Sequence, residues 1–390
     1  MKTAKKAGNR LIEIKAGKVG PIKPRQKTVK VKQPGDYPGL PPVYLEICQN
    51  YRKFMEGPPL CDELVALVQH MFTEEEASVV RYLGPLTMLP ADKVAEKANR
   101  PVEEVRPILD ELAEEKHIIV SFGPAGAKTY VGLPIVPGAF EMVLIRQSLD
   151  TLTDWHRRFA KLFEDLYETG FMVDGVGKMP PAIRYLPVGG VIEAHPMALP
   201  SDLLEQIIDQ YNSFAVGLCQ CRMTENIVGR GCGRPLDNCT AMGAMADRAI
   251  AAGQMRRVEK KQLLEIKRQA EASGLVNWAM NQNLMPGSSA ICSCCGCCCH
   301  AMRMISEFNL PGTIAPPHFM PEVDQDQCDY CAKCARACPM GAITINTKAK
   351  TREFQPLRCV GCGQCLVACD KQKAIRLEPV PGYQPPKFLG

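Results

Sequence analysis

The sequence predicts a multidomain protein of the α+β class, and three observations support this prediction. The chain has 390 residues, too many for one hydrophobic core, which suggests about two to four domains. Apolar residues recur at helical spacing in the first half, whereas short apolar strands precede the cysteine groups of the second half. Eighteen of the twenty cysteines follow residue 218. We therefore expect helical and cysteine-rich parts with separate cores.

Residues 1–60 are predicted to form a basic arm and linker rich in Pro and Gly. Residues 1–35 carry eleven Lys or Arg residues against Glu13 alone, although the whole chain has a net charge of only +5. Such a segment is expected to be solvated and poorly ordered. Binding of nucleic acid and docking to an acidic redox partner are the functional alternatives. Cys48 and Cys61 stand apart from the other cysteines and are expected to be buried apolar residues.

Residues 61–137 contain three helix signals followed by a hairpin signal. Thr73 and Glu76 form a capping box at the start of the first helix. The other predicted elements are a helix at Ala91–Ala98, a helix that begins after Pro101, and a hairpin of Ile118–Phe122 with Thr129–Leu133. This order of elements resembles a winged-helix module, which implies a third helix that contacts a partner.

The third of these helices carries an excess of acidic side chains. The helix and the two residues after it contain six acidic and two basic side chains. The acidic ones are Glu103, Glu104, Asp110, Glu111, Glu114 and Glu115, and the basic ones are Arg106 and Lys116. Such a surface would repel the phosphates of DNA, which disfavours nucleic acid as a partner. We expect a module for protein contact or dimerisation.

Residues 138–180 are predicted to hold a long connecting helix. Apolar and aromatic side chains recur at helical spacing from Phe140 to Leu166, and Gly170 follows them. An aromatic stripe of this kind is more typical of a packed core than of a cofactor site. The helix is expected to join the winged-helix-like module to the middle of the chain.

Residues 321–380 contain two cysteine runs with the same spacing, C-x2-C-x2-C-x3-C. This spacing places three thiolates around one [4Fe-4S] cluster and sends the fourth cysteine to a second cluster. The predicted ligand sets are Cys328, Cys331, Cys334 and Cys369 for one cluster and Cys359, Cys362, Cys365 and Cys338 for the other. Zinc would need two C-x2-C pairs per metal and would not require the repeated run. Residues 381–390 are predicted to be a tail.

The same stretch resembles the bacterial dicluster ferredoxin domain. Cys338-Pro339 and the apolar strand Ala342–Ile345 carry the resemblance, and Ala374–Leu377 repeats the strand. The resemblance implies a ferredoxin-like fold, two [4Fe-4S] clusters and transfer of single electrons. Asp370 is a departure, because the family usually has proline after the last cysteine. This carboxylate and a segment one residue longer are expected to leave the adjacent cluster more solvated.

Residues 181–320 are predicted to form a cysteine-rich iron–sulfur domain of α/β character. A strand at Phe214–Leu218 leads into Cys219-Gln220-Cys221-Arg222. The predicted ligands of a third [4Fe-4S] cluster are Cys219, Cys221, Cys232 and Cys239, with Arg222 balancing the cluster charge. Zinc also accepts four cysteines and is the alternative metal.

A second apolar strand, Ser288–Ile291, precedes six cysteines within eight residues. Neighbouring side chains diverge along an extended chain, so only a subset of these thiols can bind one metal. The predicted ligands of a fourth cluster are Cys292, Cys294 or Cys295, and Cys298, with Cys299 as a further candidate. The remaining thiols are expected to support these ligands or to bind a different cluster. His300 is expected to begin a helix and to make ordinary hydrogen bonds.

The two cysteine patterns of the middle region, together with the dicluster tail, resemble a group of iron–sulfur proteins of anaerobes with a winged-helix-like N-terminal part. The resemblance implies an electron-transfer protein or oxidoreductase subunit that works with a flavoprotein or a larger oxidoreductase. One alternative is a reductase whose middle domain holds a catalytic cluster acting on a disulfide or a small organic substrate. A redox-sensing regulator that binds DNA is a third hypothesis. No catalytic residue is predicted.

The sequence contains no nucleotide-binding motif, targeting signal or apolar stretch long enough to span a membrane. NAD, FAD or ATP would therefore belong to a partner protein. Grouped thiols suit metal ligation in a reducing compartment better than a disulfide framework. The expected location is the cytoplasm.

Anaerobically purified protein is expected to contain about 12–16 iron atoms per chain, because each cubane holds about four. Iron and acid-labile sulfide assays, with electron paramagnetic resonance of the reduced protein, check this prediction. Colourless, air-stable protein with stoichiometric zinc would contradict it.

Overall fold

The computed structural model describes residues 9–54, 57–178, 180–281 and 287–386, and the chain divides into two compact units. We name residues 1–25, 146–148 and 180–390 the cysteine-rich unit. Residues 26–145 and 149–179 form the helical unit. Helices and strands are mixed along the chain, which confirms the predicted α+β class.

The helices and strands are numbered in chain order. The helices are α1 (Pro42–Lys53), α2 (Asp62–Met71), α3 (Glu74–Val80), α4 (Ala91–Ala98), α5 (Val102–Glu114), α6 (Phe140–Leu144), α7 (Asp154–Glu168), α8 (Gly189–Ile192), α9 (Leu204–Ile208), α10 (Gln220–Ile227), α11 (Ala244–Ala251), α12 (Lys260–Ala272), α13 (His300–Ser306), α14 (Lys333–Ala337) and α15 (Gln364–Ala368). The strands are β1 (Ile12–Lys15), β2 (Lys18–Pro21), β3 (Met88–Pro90), β4 (Ile119–Phe122), β5 (Thr129–Gly132), β6 (Ile183–Tyr185), β7 (Phe214–Leu218), β8 (Asp237–Gly243), β9 (Arg256–Arg257), β10 (Val276–Met280), β11 (Ser288–Cys294), β12 (Phe319–Val323), β13 (Ile343–Asn346), β14 (Thr351–Phe354) and β15 (Ile375–Pro379). Within the described ranges, no helix combines the length and the apolar character needed to cross a membrane.

The helical unit contains α1–α7 and a three-stranded sheet in the order β3–β5–β4. The predicted capping box begins α3, since Thr73 Oγ1 accepts a hydrogen bond from the Glu76 amide at 3.2 Å and the Glu76 carboxylate accepts one from the Thr73 amide at 2.8 Å. Cys48 and Cys61 are buried in this unit, and burial raises the pKa of each thiol to about 12. They therefore behave as the apolar residues that the sequence predicts.

The predicted hairpin is present as β4 and β5, and it packs beside the acidic helix α5. The hydroxyl of Tyr130, a fully buried residue, donates to the Asp110 carboxylate at 2.8 Å. Lys128 Nζ lies 2.8 Å from the same carboxylate and also pairs with Glu114. Part of the negative charge on α5 is therefore balanced within the unit. The use of these elements as a winged-helix module stays a prediction.

The structure differs from the long connecting helix expected over 138–180. Helix α6 ends at Leu144 and α7 begins only at Asp154, after a capping box formed by Thr153 and His156. Between them the chain becomes extended at Ile145, and the Arg146 carbonyl accepts a hydrogen bond from the Leu218 amide at 2.8 Å. The Arg146 carbonyl is therefore bonded to β7 and is not available for the hydrogen bonds of one continuous helix. The linker expected before residue 60 likewise contains a helix, α1.

The largest sheet of the cysteine-rich unit has six antiparallel strands in the order β6–β10–β11–β8–β7–β9. Strand β7 matches the strand predicted at Phe214–Leu218. Pro200–Asp202 form a separate 3-10 turn just before α9. Buried apolar residues from β7, β8, β11 and α12 form the core of this part. The sheet brings distant cysteine groups to neighbouring strands.

Residues 319–379 form a compact region with two helices, α14 and α15, that pack together. Strand β12 pairs with β15, and β13 pairs with β14, both antiparallel. The two apolar strands predicted after the cysteine runs are present as β13 and β15, shifted by about one residue. The helices and these strands surround the predicted ligand sets.

Residues 9–25 differ from the poorly ordered arm expected from the composition of the N-terminal segment, and residues 1–8 lie outside the described residues. Strands β1 and β2 form a hairpin, and β2 adds to β13 with Val19 opposite Ile345, giving a four-stranded sheet. Val19 is buried, and a Cβ atom at Gly20 would lie 2.7 Å from the Thr344 hydroxyl. The close backbone approach explains the glycine at this position. The basic segment therefore supports the sheet of the dicluster region.

Two basic residues of this segment also reach a buried group of charges. Arg303 lies between Glu225 and Glu307, with nitrogen–oxygen distances of 2.6 and 2.5 Å. Arg10 lies 3.2 Å from Glu225 and 3.7 Å from Glu307, and Arg25 lies 3.1 Å from Glu307. Burial acts to raise the pKa of Glu307, but Arg303 and Arg10 hold that pKa below its usual range. The N-terminal cations thus compensate carboxylates that have little access to water.

Replacement Arg10→Ala is expected to destabilise the cysteine-rich unit by about 1–3 kcal/mol, because Glu225 loses a charged hydrogen-bond partner and Glu307 loses a nearby positive charge. Lys15→Ala, at an exposed position of β1, is the matched control and should change little. The pKa of Glu307 is lower in the folded protein, so its contribution is complete above the ordinary carboxyl pKa and disappears as the pH falls through the folded value. Thermal unfolding under anaerobic conditions at several pH values measures the effect. Equal loss for both variants, or no decrease of the difference at acid pH, would contradict the prediction.

Candidate metal centre

One predicted ligand set of the dicluster region lines a mainly apolar cavity. Its members are Cys338, Cys359, Cys362 and Cys365, and the other lining residues include Ile343 and Phe354. Burial raises the pKa of Cys359 to about 12 and raises the pKa of Cys362 and Cys365 as well. Ligation by a cationic cluster would keep these buried thiols deprotonated. The cavity therefore fits the group predicted from the spacing.

The second set lines a more polar cavity. Cys328, Cys331, Cys334 and Cys369 line it together with polar residues such as Lys333. All four are partly exposed, whereas three of the four cysteines around the first cavity are buried. Asp370 lies beside this set, as predicted, but its carboxylate pairs with Lys333 at 2.9 Å. We name this set the outer site and the apolar set the inner site.

The two cysteine runs use the same backbone conformation around their cavities. Tyr330 and Ala332 of the first run have positive φ angles of 57° and 62°, and Gly361 and Gly363 occupy the same positions of the second run with 67° and 74°. Alternating left-handed residues turn successive amide N–H groups toward one side of a loop. The Gly361 amide donates to Cys359 Sγ at 3.4 Å, and the Ala342 amide donates to Cys338 Sγ at 3.2 Å. These donors would stabilise sulfur that carries negative charge.

Four thiols of the middle region form a compact group. Cys232, Cys295, Cys297 and Cys298 have sulfur atoms that all lie within 4.8 Å of one another. Cys232 Sγ is 3.9 Å from Cys295 Sγ, and Cys297 Sγ is 3.7 Å from Cys298 Sγ. The Arg234 guanidinium lies 3.9 Å from Cys297 Sγ. We name these four cysteines the turn set, because three of them lie in the turn between β11 and α13.

A second group of four thiols is connected by hydrogen bonds. Cys221 contacts both Cys219 and Cys299, and Cys299 also contacts Cys294. The hydrogen bond from Cys221 lowers the pKa of Cys219 to about 6, although burial opposes this shift. His300 Nδ1 lies 3.3 Å from Cys221 Sγ at the start of α13. We name Cys219, Cys221, Cys294 and Cys299 the strand set.

The two remaining thiols of the middle region face each other. Cys239 Sγ and Cys292 Sγ are 3.8 Å apart, on the adjacent strands β8 and β11. Cys239 is buried and Cys292 is partly exposed. They lie outside both groups of four.

This arrangement differs from the sets expected from the sequence. Cys232 joins Cys295 and Cys298 rather than Cys219, Cys221 and Cys239. The reason is the fold: Cys232 lies in the loop between α10 and β8, whereas Cys239 lies within β8 and is opposite Gly217 of β7. The proposed fourth set is also divided, because Cys292 and Cys294 lie in β11 while Cys295 and Cys298 follow it. Linear spacing could not show which sulfur atoms meet across the sheet.

A buried arginine lies between the turn set and the strand set. Arg222, 2% exposed, donates to the carbonyls of Pro235 at 2.9 Å and Ser293 at 2.7 Å, and to the side chain of Asn238. Burial acts to lower the pKa of Arg222, but negative charge on Cys219 and Cys295 raises it overall. Arg222 thus adjoins thiols of both sets, and its role in balancing cluster charge stays a prediction.

Two polar residues beside the middle thiols were not predicted. Lys267 is fully buried, and burial lowers its pKa to about 8 while charge on Cys292 and Cys239 opposes the shift. Its spacing from the apolar residues Leu263 and Ala270, which share the buried face of α12, was the available signal. The Tyr185 hydroxyl lies 3.7 Å from Cys299 Sγ, and no sequence pattern indicated that contact.

Comparison with known proteins supports the chemistry of the dicluster region. The sequence model of the 4Fe-4S dicluster domain family matches residues 327–380, which include both cysteine runs. This is an iron–sulfur protein. Its dicluster domain binds [4Fe-4S] clusters and transfers electrons. The match covers the C-terminal part of the chain alone.

One curated protein that the chain resembles is Archaeal glutamate synthase (NADPH) of Archaeoglobus fulgidus. The two are 34% identical over 70 residues, which is 18% of this chain and 14% of the relative. The chain thus matches only a small part of that relative. No solved structure matches this iron–sulfur protein.

Replacement Cys298→Ser is expected to remove about four iron atoms per chain, because it deletes one of four thiols that meet in the turn set. Cys48→Ser, in the helical unit, is the control and should retain all iron. Iron and sulfide assays measure the loss, and the electron paramagnetic resonance signals of the dicluster domain report whether the rest of the iron–sulfur protein is intact. Full iron content in Cys298→Ser would show that the turn set holds no cluster.

Proposed function

We propose that the protein is an electron-transfer subunit of an oxidoreductase, in which single electrons pass between the dicluster domain and one cluster in each of the turn and strand sets. The fold of the dicluster domain and the two groups of four thiols support this number of clusters. Thiolate ligation, burial and hydrogen bonds to sulfur would set the potential of each site.

The observation that carries the proposal is a backbone contact between the inner site and the turn set. A Cβ atom at Gly296 would lie only 1.7 Å from the carbonyl oxygen of Pro339. Gly296 lies between Cys295 and Cys297, and Pro339 directly follows Cys338. The two ligand groups are therefore adjacent, with no side chain between their backbones at this point.

Further contacts hold the inner site against the middle region. The Val188 amide donates to the Cys362 carbonyl at 3.0 Å, and the Gln364 side chain donates to the Leu275 carbonyl at 3.2 Å. Cys338, Cys362 and Cys365 share one apolar core with Cys294 and Cys299 of the strand set. Because these cysteines share one core, electron transfer between the inner site and the strand set is favoured.

The outer and inner sites differ in the solvent exposure of their cysteines, and this difference indicates where electrons would enter or leave the protein. The outer site has four partly exposed thiols and polar neighbours, which suits contact with an external redox protein. The inner site has three buried thiols and lies next to the turn set. An electron from a flavoprotein or larger oxidoreductase would therefore enter at the outer site and move inward, or leave by the same route.

The helical unit would serve as a winged-helix-like protein-contact module in this proposal. Its helix α5 is acidic, and Lys128 balances only Asp110 and Glu114. Exposed carboxylates such as Glu103 would repel nucleic acid, which disfavours DNA as the partner. Eighteen grouped thiols are compatible with the reducing interior of a cell, and we propose a cytoplasmic location.

Replacement Gly296→Ala tests the relay, since the added methyl group would force the turn set away from Pro339. We expect unchanged iron content and unchanged rapid reduction of the dicluster clusters, but a several-fold slower reduction of the middle clusters. Gly190→Ala is the matched control, because a Cβ atom there meets no heavy atom within 4 Å. Freeze-quench electron paramagnetic resonance after mixing with a low-potential donor measures the rates.

The result that would overturn the proposal is reduction of the middle clusters at the wild-type rate in Gly296→Ala. Absence of any signal from the middle region in wild-type protein that contains full iron would overturn it as well. Equal slowing in Gly190→Ala would show that the effect is general and would count against the contact as the route.

A further inference from the structure

Two of the ten middle thiols have no place in the groups of four. The turn set and the strand set account for eight cysteines, so ten minus eight leaves Cys239 and Cys292. These two thiols were expected to bind separate clusters. The structure instead places each of them next to the other.

The sheet holds the pair in register. Strands β8 and β11 are antiparallel, with Thr240 opposite Ile291, and Cys239 and Cys292 are the next residues along each strand. Their sulfur atoms are 3.8 Å apart. Opposed residues of antiparallel strands have Cα atoms about 4.5–5.5 Å apart, which lies within the range of about 4.4–6.8 Å found across disulfides. Side-chain rotation alone can bring the two sulfur atoms into bonding distance.

The buried ammonium of Lys267 holds the two strands together at this point. Lys267 Nζ donates to the carbonyls of Asn238 at 3.0 Å and Ile291 at 2.7 Å. These are the residues that directly precede Cys239 and Cys292. Lys267 also reaches the Ser293 hydroxyl at 3.2 Å. Lys267 therefore fixes the backbone of both strands directly before the two thiols.

The pair also adjoins the strand set. Cys292 and Cys294 are two residues apart in β11, so their side chains point to the same face of the sheet. Negative charge on Cys292 and on Cys219 acts on the Cys294 thiol, which places all three in one electrostatic environment. Electrons that reach the strand set are thus close to the pair.

We propose that Cys239 and Cys292 form a redox-active dithiol–disulfide couple through which the protein reduces a disulfide substrate. This inference rests on the proposed relay, which supplies its electrons. Cys292 is the attacking residue because it is partly exposed, and the buried Cys239 is the resolving residue.

The thiol–disulfide exchange with the substrate takes place in two steps. The Cys292 thiolate attacks one sulfur of the substrate disulfide, forms a mixed disulfide and releases one substrate thiolate. The Cys239 thiolate then attacks Cys292 Sγ, forms the Cys239–Cys292 disulfide and releases the second substrate thiolate. Two electrons, which clusters held by the neighbouring cysteines would supply one at a time, and two protons from water would restore the two thiols.

Trapping of the mixed disulfide tests the couple. Anaerobic Cys239→Ser protein with intact clusters is mixed with 2-hydroxyethyl disulfide, quenched with an alkylating agent and mapped by mass spectrometry. We expect a 2-mercaptoethanol adduct on Cys292, because the resolving thiol is absent. Wild-type protein should instead contain a Cys239–Cys292 disulfide and release two thiols per chain. Cys292→Ser should show neither product, and Cys48→Ser should match the wild type.

Iron content separates this role from cluster ligation. Cys239→Ser and Cys292→Ser are expected to retain the iron and sulfide of the wild type. Loss of about four iron atoms in either variant would identify a ligand and overturn the proposal. Mapping of the wild-type protein gives an answer that does not depend on the folding of a variant: absence of the Cys239–Cys292 disulfide after exposure to the probe would overturn it too.

Different results would contradict the proposed electron relay and the proposed Cys239–Cys292 couple. If the trapped adduct forms but a low-potential donor does not restore the two thiols in wild-type protein, the couple stands and the proposed electron route is wrong. If the middle clusters are reduced as proposed but neither adduct nor internal disulfide forms, the relay stands and the couple is wrong.

Discussion

Balance of the negative charge on buried thiolates is the constraint on which the cysteine-rich unit depends. Thiolate ligands concentrate charge in a region with little water, where uncompensated ions are costly. The dicluster domain meets this need largely with backbone amides, since the Gly361 and Ala342 amides donate to cysteine sulfur. The middle region instead uses buried cations, Arg222 and Lys267. Two solutions to the same electrostatic problem thus lie side by side in one compact unit.

The six-stranded sheet converts a linear series of cysteines into three spatial groups. Cys239 and Cys292 are 53 residues apart in the chain, but adjacent strands place their sulfur atoms 3.8 Å apart. Residues that follow the end of β11 turn away from the sheet, and Cys295, Cys297 and Cys298 consequently meet Cys232 of a different loop. The sheet therefore decides which thiols act together, and the cysteine spacing alone does not.

Local patterns predicted local structure well and tertiary contacts poorly. The capping box of Thr73, the helix Ala91–Ala98 and the strand Phe214–Leu218 follow from nearby residues, and the structure has them. The two dicluster sets were predictable because each C-x2-C-x2-C run forms its own loop. The middle sets were not, because strand pairing between β8 and β11 determines them. The basic composition of residues 1–35 likewise gave no sign that Arg10 compensates Glu225 and Glu307 across more than 200 residues of chain.

The pairing of β2 with β13 has a consequence for how the chain matures during synthesis. The N-terminal hairpin emerges from the ribosome long before its partner strand β13. The sheet in which Val19 pairs with Ile345 therefore cannot form until β13 has been synthesised. The helical unit consists of residues 26–145 and 149–179 and is available for folding much earlier, as domains fold while synthesis continues. Closure of the cysteine-rich unit is therefore a late event. The dicluster thiols, Cys328 to Cys369, are likewise synthesised after the helical unit and after all the thiols of the middle region.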